Sequence, residues 1–187
     1  MVKVMAKKPK TKKWVKIVSP KIFNEIELGE TLTSQPSKVK GKIIDVSIAN
    51  LIGDFSKQHF RLRLIIDEVK ENVGITKIKS LYVSKPHIIR RIRKGASKID
   101  FSEKVKIKGG TEVIAKVILL TSFKAHQTQV RMLRERLKEH IEKTFANYNI
   151  EALVLALCAN KIQAEAQTKL KKTYPIKYLE VREVIVV

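Results

Sequence analysis

Cysteine is almost absent from this chain. Cys158 is the only one among 187 residues, which excludes an internal disulfide and a thiolate metal cage and fits a reducing cytosol. Glycine is scarce as well, seven in all and none in a P-loop or G-x-G-x-x-G arrangement, so the usual phosphate-cradling loops of nucleotide enzymes are missing. The apolar stretch at 150–159 is broken by Glu151 and falls far short of the roughly 20 residues that cross a bilayer. No apolar run follows the basic N-terminus, as a secretory signal requires, and no membrane partner is expected. Aromatics are 6% of the chain and scattered, whereas single-strand readers of the RRM or OB type need them as stacking platforms. The most informative shortage is of acid. Eighteen Asp and Glu stand against 39 Lys and Arg, a net charge of +21, well beyond the magnitude of about 2–8 usual for a small soluble domain. Such an excess opposes the compact state and attracts polyanions.

What is present narrows the class. Hydrophobic residues make up 44%, enough for a core and too many for a polybasic tail. Residues 1–22 read as a basic N-terminal arm, with Lys3, Lys7, Lys8, Lys10, Lys12, Lys13 and Lys16 and no acid before position 25. Trp14 is the arm's expected anchor, its indole offering apolar area and a base-stacking face. Residues 23–187 read as a single domain, mostly strand over 38–122, mostly helical over 123–173, with a closing strand at 176–187. Period-two alternation predicts strands at 39–50, at 60–66 (Phe60, Leu62, Leu64 and Ile66 on one face) and at 74–83. Ser84-Lys85-Pro86 opens a short helix with Ile88, Ile89 and Ile92 as its apolar stripe and Gly95 as its stop. Gly109-Gly110 between β-branched runs predicts a tight hairpin. Val130, Leu133, Leu137, Ile141 and Phe145 step by three and four, and a second helix is expected from 150 to about 172. The fold class is α+β: an antiparallel β-barrel or sandwich core with a short basic helix, two C-terminal amphipathic helices and a closing strand.

The strongest constellation is electrostatic. Between Glu71 and Asp100 no acid occurs, while Lys77, Lys79, Lys85, Arg90, Arg91, Arg93, Lys94 and Lys98 accumulate. On a helix, Arg90, Arg93 and Lys94 fall away from the isoleucines, and arginine forks match phosphate oxygens. A solvated face would mix signs; this one does not, so phosphate binding is the preferred reading. Lys124, Arg131, Arg134, Arg136, Lys138 and Lys143 form a second cluster on the long helix. There Glu135–Lys138 and Glu139–Lys143 spacing also allows an ordinary surface helix, and both readings stand. Lys169, Lys171 and Lys172 complement a helix dipole without any ligand.

Catalytic constellations are scarce. His59, His87, His126 and His140 share no metal-ligand spacing, so no metal or cofactor is expected. Asp45, Asp54, Asp67 and Glu68, near the expected sheet, could in principle converge as a two-metal nuclease site, but Asp54 already has a turn-capping use and nothing else ties the four together. No enzyme activity is expected.

Particular strings go further than charge. Lys12-Lys13-Trp14-Val15-Lys16-Ile17-Val18-Ser19-Pro20-Lys21-Ile22-Phe23 resembles the N-terminal signature of the archaeal and eukaryotic S-three-Ae (S-one-e) family of small-ribosomal-subunit proteins. Asp54-Phe55-Ser56-Lys57-Gln58-His59 resembles that family's most specific internal motif, and Lys124-Ala125-His126-Gln127-Thr128-Gln129-Val130-Arg131 and the Tyr174-Pro175 segment are similar to later landmarks in the same order. Val15 and Ser19 depart from the usual tyrosine and alanine, and Ser84-Lys85-Pro86-His87 does not reproduce the polar segment before the basic helix. The chain ends soon after the Tyr-Pro strand, as an archaeal-type member would. The resemblance implies a cytoplasmic ribosomal component on the platform near the mRNA exit. Its partners would be ribosomal RNA, neighbouring small-subunit proteins and the message near the exit, with no small-molecule substrate and no catalytic residues. Within the middle motif, Lys57 and His59 are expected on RNA and Phe55 in the core, with a purely structural turn and strand start the equal alternative. The expected RNA contacts are therefore Lys7, Lys8, Lys10, Lys12, Lys13, Trp14, Lys16, Lys57, His59, Lys85, Arg90, Arg91, Arg93, Lys94, Lys98, Lys124, Arg131 and Arg134. Two other readings are a free RNA-binding chaperone or single-strand binder using Trp14 and Tyr82, and, remotely, the metal-dependent nuclease.

Overall fold

The computed structural model describes residues 12–187; Lys7, Lys8 and Lys10 of the arm lie outside them. The described chain is α+β and divides into two compact units, one from residues up to Ile44 with Leu64–Lys77, the other from Asp45–Arg63 with Ile78–Val187.

In the first unit, the stretch read as arm is structured from Lys13 on. Strand β1 (Lys13–Val18) pairs antiparallel with β2 (Glu27–Thr33). Alternation explains it: Val15 and Ile17 are buried while Lys13 and Lys16 are exposed, as a strand with one solvated face requires. The two join Val39 and Ile66 in a small core, with Leu28, Ile44 and Val69 packed against it. Trp14 is 61% exposed, so Val15 and Ile17, and not the indole, fasten this segment. β4 (Phe60–Lys70) turns into β5 (Val73–Val83) through Glu71 and Asn72, both at positive φ (46° and 67°), the backbone of a type I′ hairpin turn. β5 runs parallel to β1, Lys16 opposite Val73 and Val18 opposite Ile75. The sheet is therefore mixed, where antiparallel pairing throughout was expected. Thr76 is buried and donates its hydroxyl to the Val18 carbonyl at 2.8 Å, so on β5 the threonine faces inward and Ile75 outward, the reverse of what hydrophobicity alone predicts.

In the second unit the strand order is β5-β8-β7-β6, all antiparallel, from β6 (Lys98–Lys106), β7 (Glu112–Thr121) and β8 (Ile176–Val186). Among the described residues this order is open, and no barrel closes. The β6–β7 connection is longer than a two-residue turn: the Ile107 amide donates to the Thr111 carbonyl at 3.0 Å, with Gly109 and Gly110 at positive φ inside the loop. The strand expected at 39–50 is only Ile43–Ser47 (β3), followed by α1 (Ile48–Ile52), which Gly53 ends in the left-handed conformation.

Helix α3 (Gln127–Phe145) buries Leu133, Leu137, His140, Ile141 and Phe145 and packs on β6. Truncating a leucine so placed costs about 2–5 kcal/mol. The helix expected over 150–172 is two: α4 (Ile150–Cys158) and α5 (Lys161–Lys171). Asn160 between them adopts φ 56°, ψ 17°, and asparagine is the residue besides glycine that enters this region most readily. Leu153, Leu157, Ile162 and Leu170 are buried as their spacing predicts. Cys158 is buried, and desolvation pushes its thiol up to about 12, so it packs as a small hydrophobe with little thiolate character.

The short basic helix, α2 (Lys85–Ile89), stops earlier than Gly95 suggests. Arg91 and Ile92 donate their amides to Ile88 and Ile89 in tight turns, so Arg93 and Lys94 lie beyond the helix. Only Ile88 of the apolar stripe is buried; Ile89 is 63% exposed.

Candidate nucleic-acid interface

The site grows from two local structures in the second unit. Asp54 precedes a 3-10 turn, Phe55–Lys57, and its carboxylate accepts the Ser56 amide at 3.0 Å and pairs with Lys57 Nζ at 3.4 Å. That hydrogen bond, reinforced by Lys57, holds the Asp54 carboxyl below its usual range. The turn projects Phe55 outward, 80% exposed, which overturns its expected place in the core: Phe60, five residues on, begins the buried face of β4 and takes that role. The second structure is α2. Its N-terminal Ser84 donates its amide to the His59 carbonyl at 2.8 Å, which brings the imidazoles of His59 and His87 into a parallel stack, centroids 4.1 Å apart and planes 10° from parallel.

Burial disfavours the charged form of both imidazoles. Burial lowers His87 to about 4, helped by the adjacent His59, Arg90 and Arg91; burial first, then the same arginines, lowers His59. The Arg90 guanidinium lies 2.8 Å from His87 Nδ1. Guanidinium only donates, so Nδ1 accepts and the imidazole proton sits on Nε2. A neutral histidine thus orients a cation. Arg91 lies over the Tyr178 ring at 4.8 Å, and Tyr178 Oη donates to the buried Glu180 carboxylate at 2.5 Å, which Gln163 Nε2 also approaches at 3.3 Å. Burial raises the Glu180 carboxyl. Phe55, Arg61, Arg90, Arg91 and the two histidines line one open recess of about 590 Å³.

Around it the expected contacts divide by their partners. Lys85, Arg90, Arg91, Arg93 and Lys94 are exposed, and among the described residues none has a carboxylate within 4 Å. Lys98 is paired with Asp100 at 2.8 Å, Arg131 with Glu135 at 3.5 Å, and Lys57 with Asp54. On α3 the expected Glu–Lys pairs are replaced by Lys138 with Glu103 at 2.7 Å and with Glu142 at 3.9 Å; Arg134 and, before the helix, Lys124 are exposed without such partners among the described residues. In the first unit Lys12 and Lys13 are exposed and Lys16 pairs with Glu27 at 3.4 Å.

Of the residues the other readings rest on, Trp14 stays exposed, while Tyr82 and Asp67 have partners. Tyr82 donates its hydroxyl to Asp45 and carries Arg63 over its ring at 4.4 Å, so that face is already occupied. Asp67 pairs with Lys77 at 2.6 Å, and among the described residues no group of three or more His, Cys, Asp and Glu is arranged to hold a metal. Charge and periodicity missed Phe55 as an exposed aromatic, and with it Arg61 and His87; the one signal for Phe55 was its place directly after a turn-forming Gly53-Asp54.

The arrangement has the chemistry of a phosphate-binding surface: unpaired guanidinium and ammonium groups on exposed backbone turns, with an aromatic among them. Arrangements of this class, exposed unpaired cations beside an aromatic, are what nucleic-acid-binding proteins present to phosphates. Comparison with known proteins gives the family. The profile of the Ribosomal S3Ae family matches residues 2–187, and the chain belongs to that family. It is 32% identical to small ribosomal subunit protein eS1 of Methanobrevibacter smithii over 92% of this chain and 89% of the relative. It is 31% identical to the eS1 protein of Methanothermobacter thermautotrophicus (92% and 88%) and 30% to that of Staphylothermus marinus (92% and 81%). These relatives are archaeal, and the chain is of the archaeal type.

Proposed function

We propose that this chain is a structural, non-enzymatic constituent of the small ribosomal subunit, bound to ribosomal RNA in the cytoplasm, on the platform near the mRNA exit. Its partners there are ribosomal RNA, neighbouring small-subunit proteins and the message close to the exit. The observation that carries the reading is the match to a ribosomal protein family over almost the whole chain; the excess charge and the unpaired cations of 85–94 support it. In this reading Lys85, Arg90, Arg91, Arg93 and Lys94 contact phosphates directly, joined by Lys12, Lys13, Lys124 and Arg134. Lys16, Lys57, Lys98 and Arg131 have carboxylate partners and contribute less, because each phosphate contact has to compete with an existing ion pair. Phosphate contacts of this kind fix position and orientation on a folded RNA and carry no base sequence by themselves. The test is sedimentation of a tagged chain through a sucrose gradient at low salt. Comigration with the small subunit, lost on ribonuclease treatment, is the expected result; a chain confined to the free-protein fractions contradicts it and favours a free RNA-binding chaperone.

A further inference from the structure

The recess beside the 3-10 turn is more particular than a basic face. We infer that it seats one unpaired nucleotide of a folded RNA, with the base against Phe55 and its phosphate on Arg90 and Arg91; this rests on the RNA-binding reading above. Its volume of about 590 Å³ is that of a small-molecule site, about 300–1,000 Å³, where a purely electrostatic surface needs no concavity at all. Phe55 is carried outward on a capped turn, 80% exposed, and an exposed aromatic ring beside phosphate-binding cations is a stacking platform for a base. Arg61, Arg90 and Arg91 line the same recess, and among the described residues none is neutralised by a carboxylate within 4 Å. The stacked His59–His87 pair, whose charged forms burial disfavours, lines the same recess and offers a flat face to a base. His87 Nδ1 also holds the Arg90 fork in place at 2.8 Å.

Geometry selects the unpaired state. Bases inside a duplex are covered on both faces by their neighbours and offer no π-face to a phenyl ring, whereas a bulged or looped nucleotide offers its base and its phosphate together. Three guanidinium groups with one aromatic therefore match a single extruded nucleotide better than a helix groove.

The test uses the full chain and two RNA hairpins that differ by one bulged adenosine, titrated by fluorescence anisotropy. The bulged hairpin should bind about 5- to 150-fold tighter than the fully paired one, the range expected for one base–aromatic stack. Phe55→Ala should abolish that preference, and Phe55→Tyr should restore it. Phe55 is exposed, so the urea midpoint of both variants should equal that of the parent. Equal affinity for the two hairpins, or a preference that survives Phe55→Ala, overturns the inference while leaving general RNA binding intact. If neither hairpin binds at 50 mM salt, the RNA-binding reading fails and the inference with it.

Discussion

Replacing Arg90 and Arg91 together by glutamine tests the electrostatic argument at its strongest point. Both side chains are exposed and, among the described residues, without carboxylate partners, so the substitution removes two cations free to bind phosphate. Each phosphate contact contributes about 0.7–0.9 to the slope of log affinity against log salt, so the slope should fall by about 1.4–1.8. Between 50 and 200 mM salt the double variant should then lose about tenfold less affinity than the parent does. The control is Arg131→Gln, whose guanidinium already lies 3.5 Å from the Glu135 carboxylate; an ion pair releases fewer counterions on meeting RNA, and its slope should change less. Anisotropy titrations against a small-subunit ribosomal RNA fragment at several salt concentrations give both slopes. An unchanged slope in the double variant, or an equal fall in the control, refutes the assignment of these arginines to phosphates.

Other perturbations address the fold beneath the site. His87 is lowered to about 4 in the folded chain, by burial first and by His59, Arg90 and Arg91 second, against an ordinary value of 6.5. Its stabilising contribution is complete above pH 6.5 and is lost as pH falls from 6.5 towards 4; in urea titrations His87→Gln should flatten stability over that window, and an unchanged profile would show that His87 protonates freely when folded. Leu137→Ala, at a fully buried position on α3, should lower unfolding free energy by about 2–5 kcal/mol, read from the urea midpoint. Asn160→Gly should be close to neutral and Asn160→Ala should cost about 1 kcal/mol, because alanine resists the left-handed backbone at φ 56°; equal stabilities would remove the explanation for the α4–α5 break.

Several elements could be read directly from residue order, and those that could not share physical reasons. The period-two run from Phe60 and the three-and-four stepping from Val130 announce β4 and α3, because each has one dry and one wet face. β1 and β2 are obscured: in Trp14-Val15-Lys16-Ile17 only Val15 and Ile17 are buried, and Glu27–Thr33 presents mainly exposed residues, so neither has a strong hydrophobic signal. The break at Asn160 lacks a glycine or proline, and the early end of α2 at Ile89 comes from turns that Arg90–Ile92 make without any breaker residue. At the site, the charge of 85–94 is visible in composition, but its pairing state is not. Lys98 belongs to the same acid-free run, yet Asp100, two residues on, takes its ammonium. Phe55 is the clearest case: hydrophobicity sends it inward, and only the capped turn after Asp54 shows that it points out.

The central claim is that residues 85–94 lie against ribosomal RNA in the assembled particle. The most direct measurement is lysine acetylation of purified small subunits, with Lys85 and Lys94 read by mass spectrometry before and after ribonuclease digestion. Both are exposed and, among the described residues, have no carboxylate within 4 Å, so both should be protected in intact subunits and become reactive once the RNA is digested. Full reactivity of Lys85 and Lys94 in the intact subunit would contradict the claim.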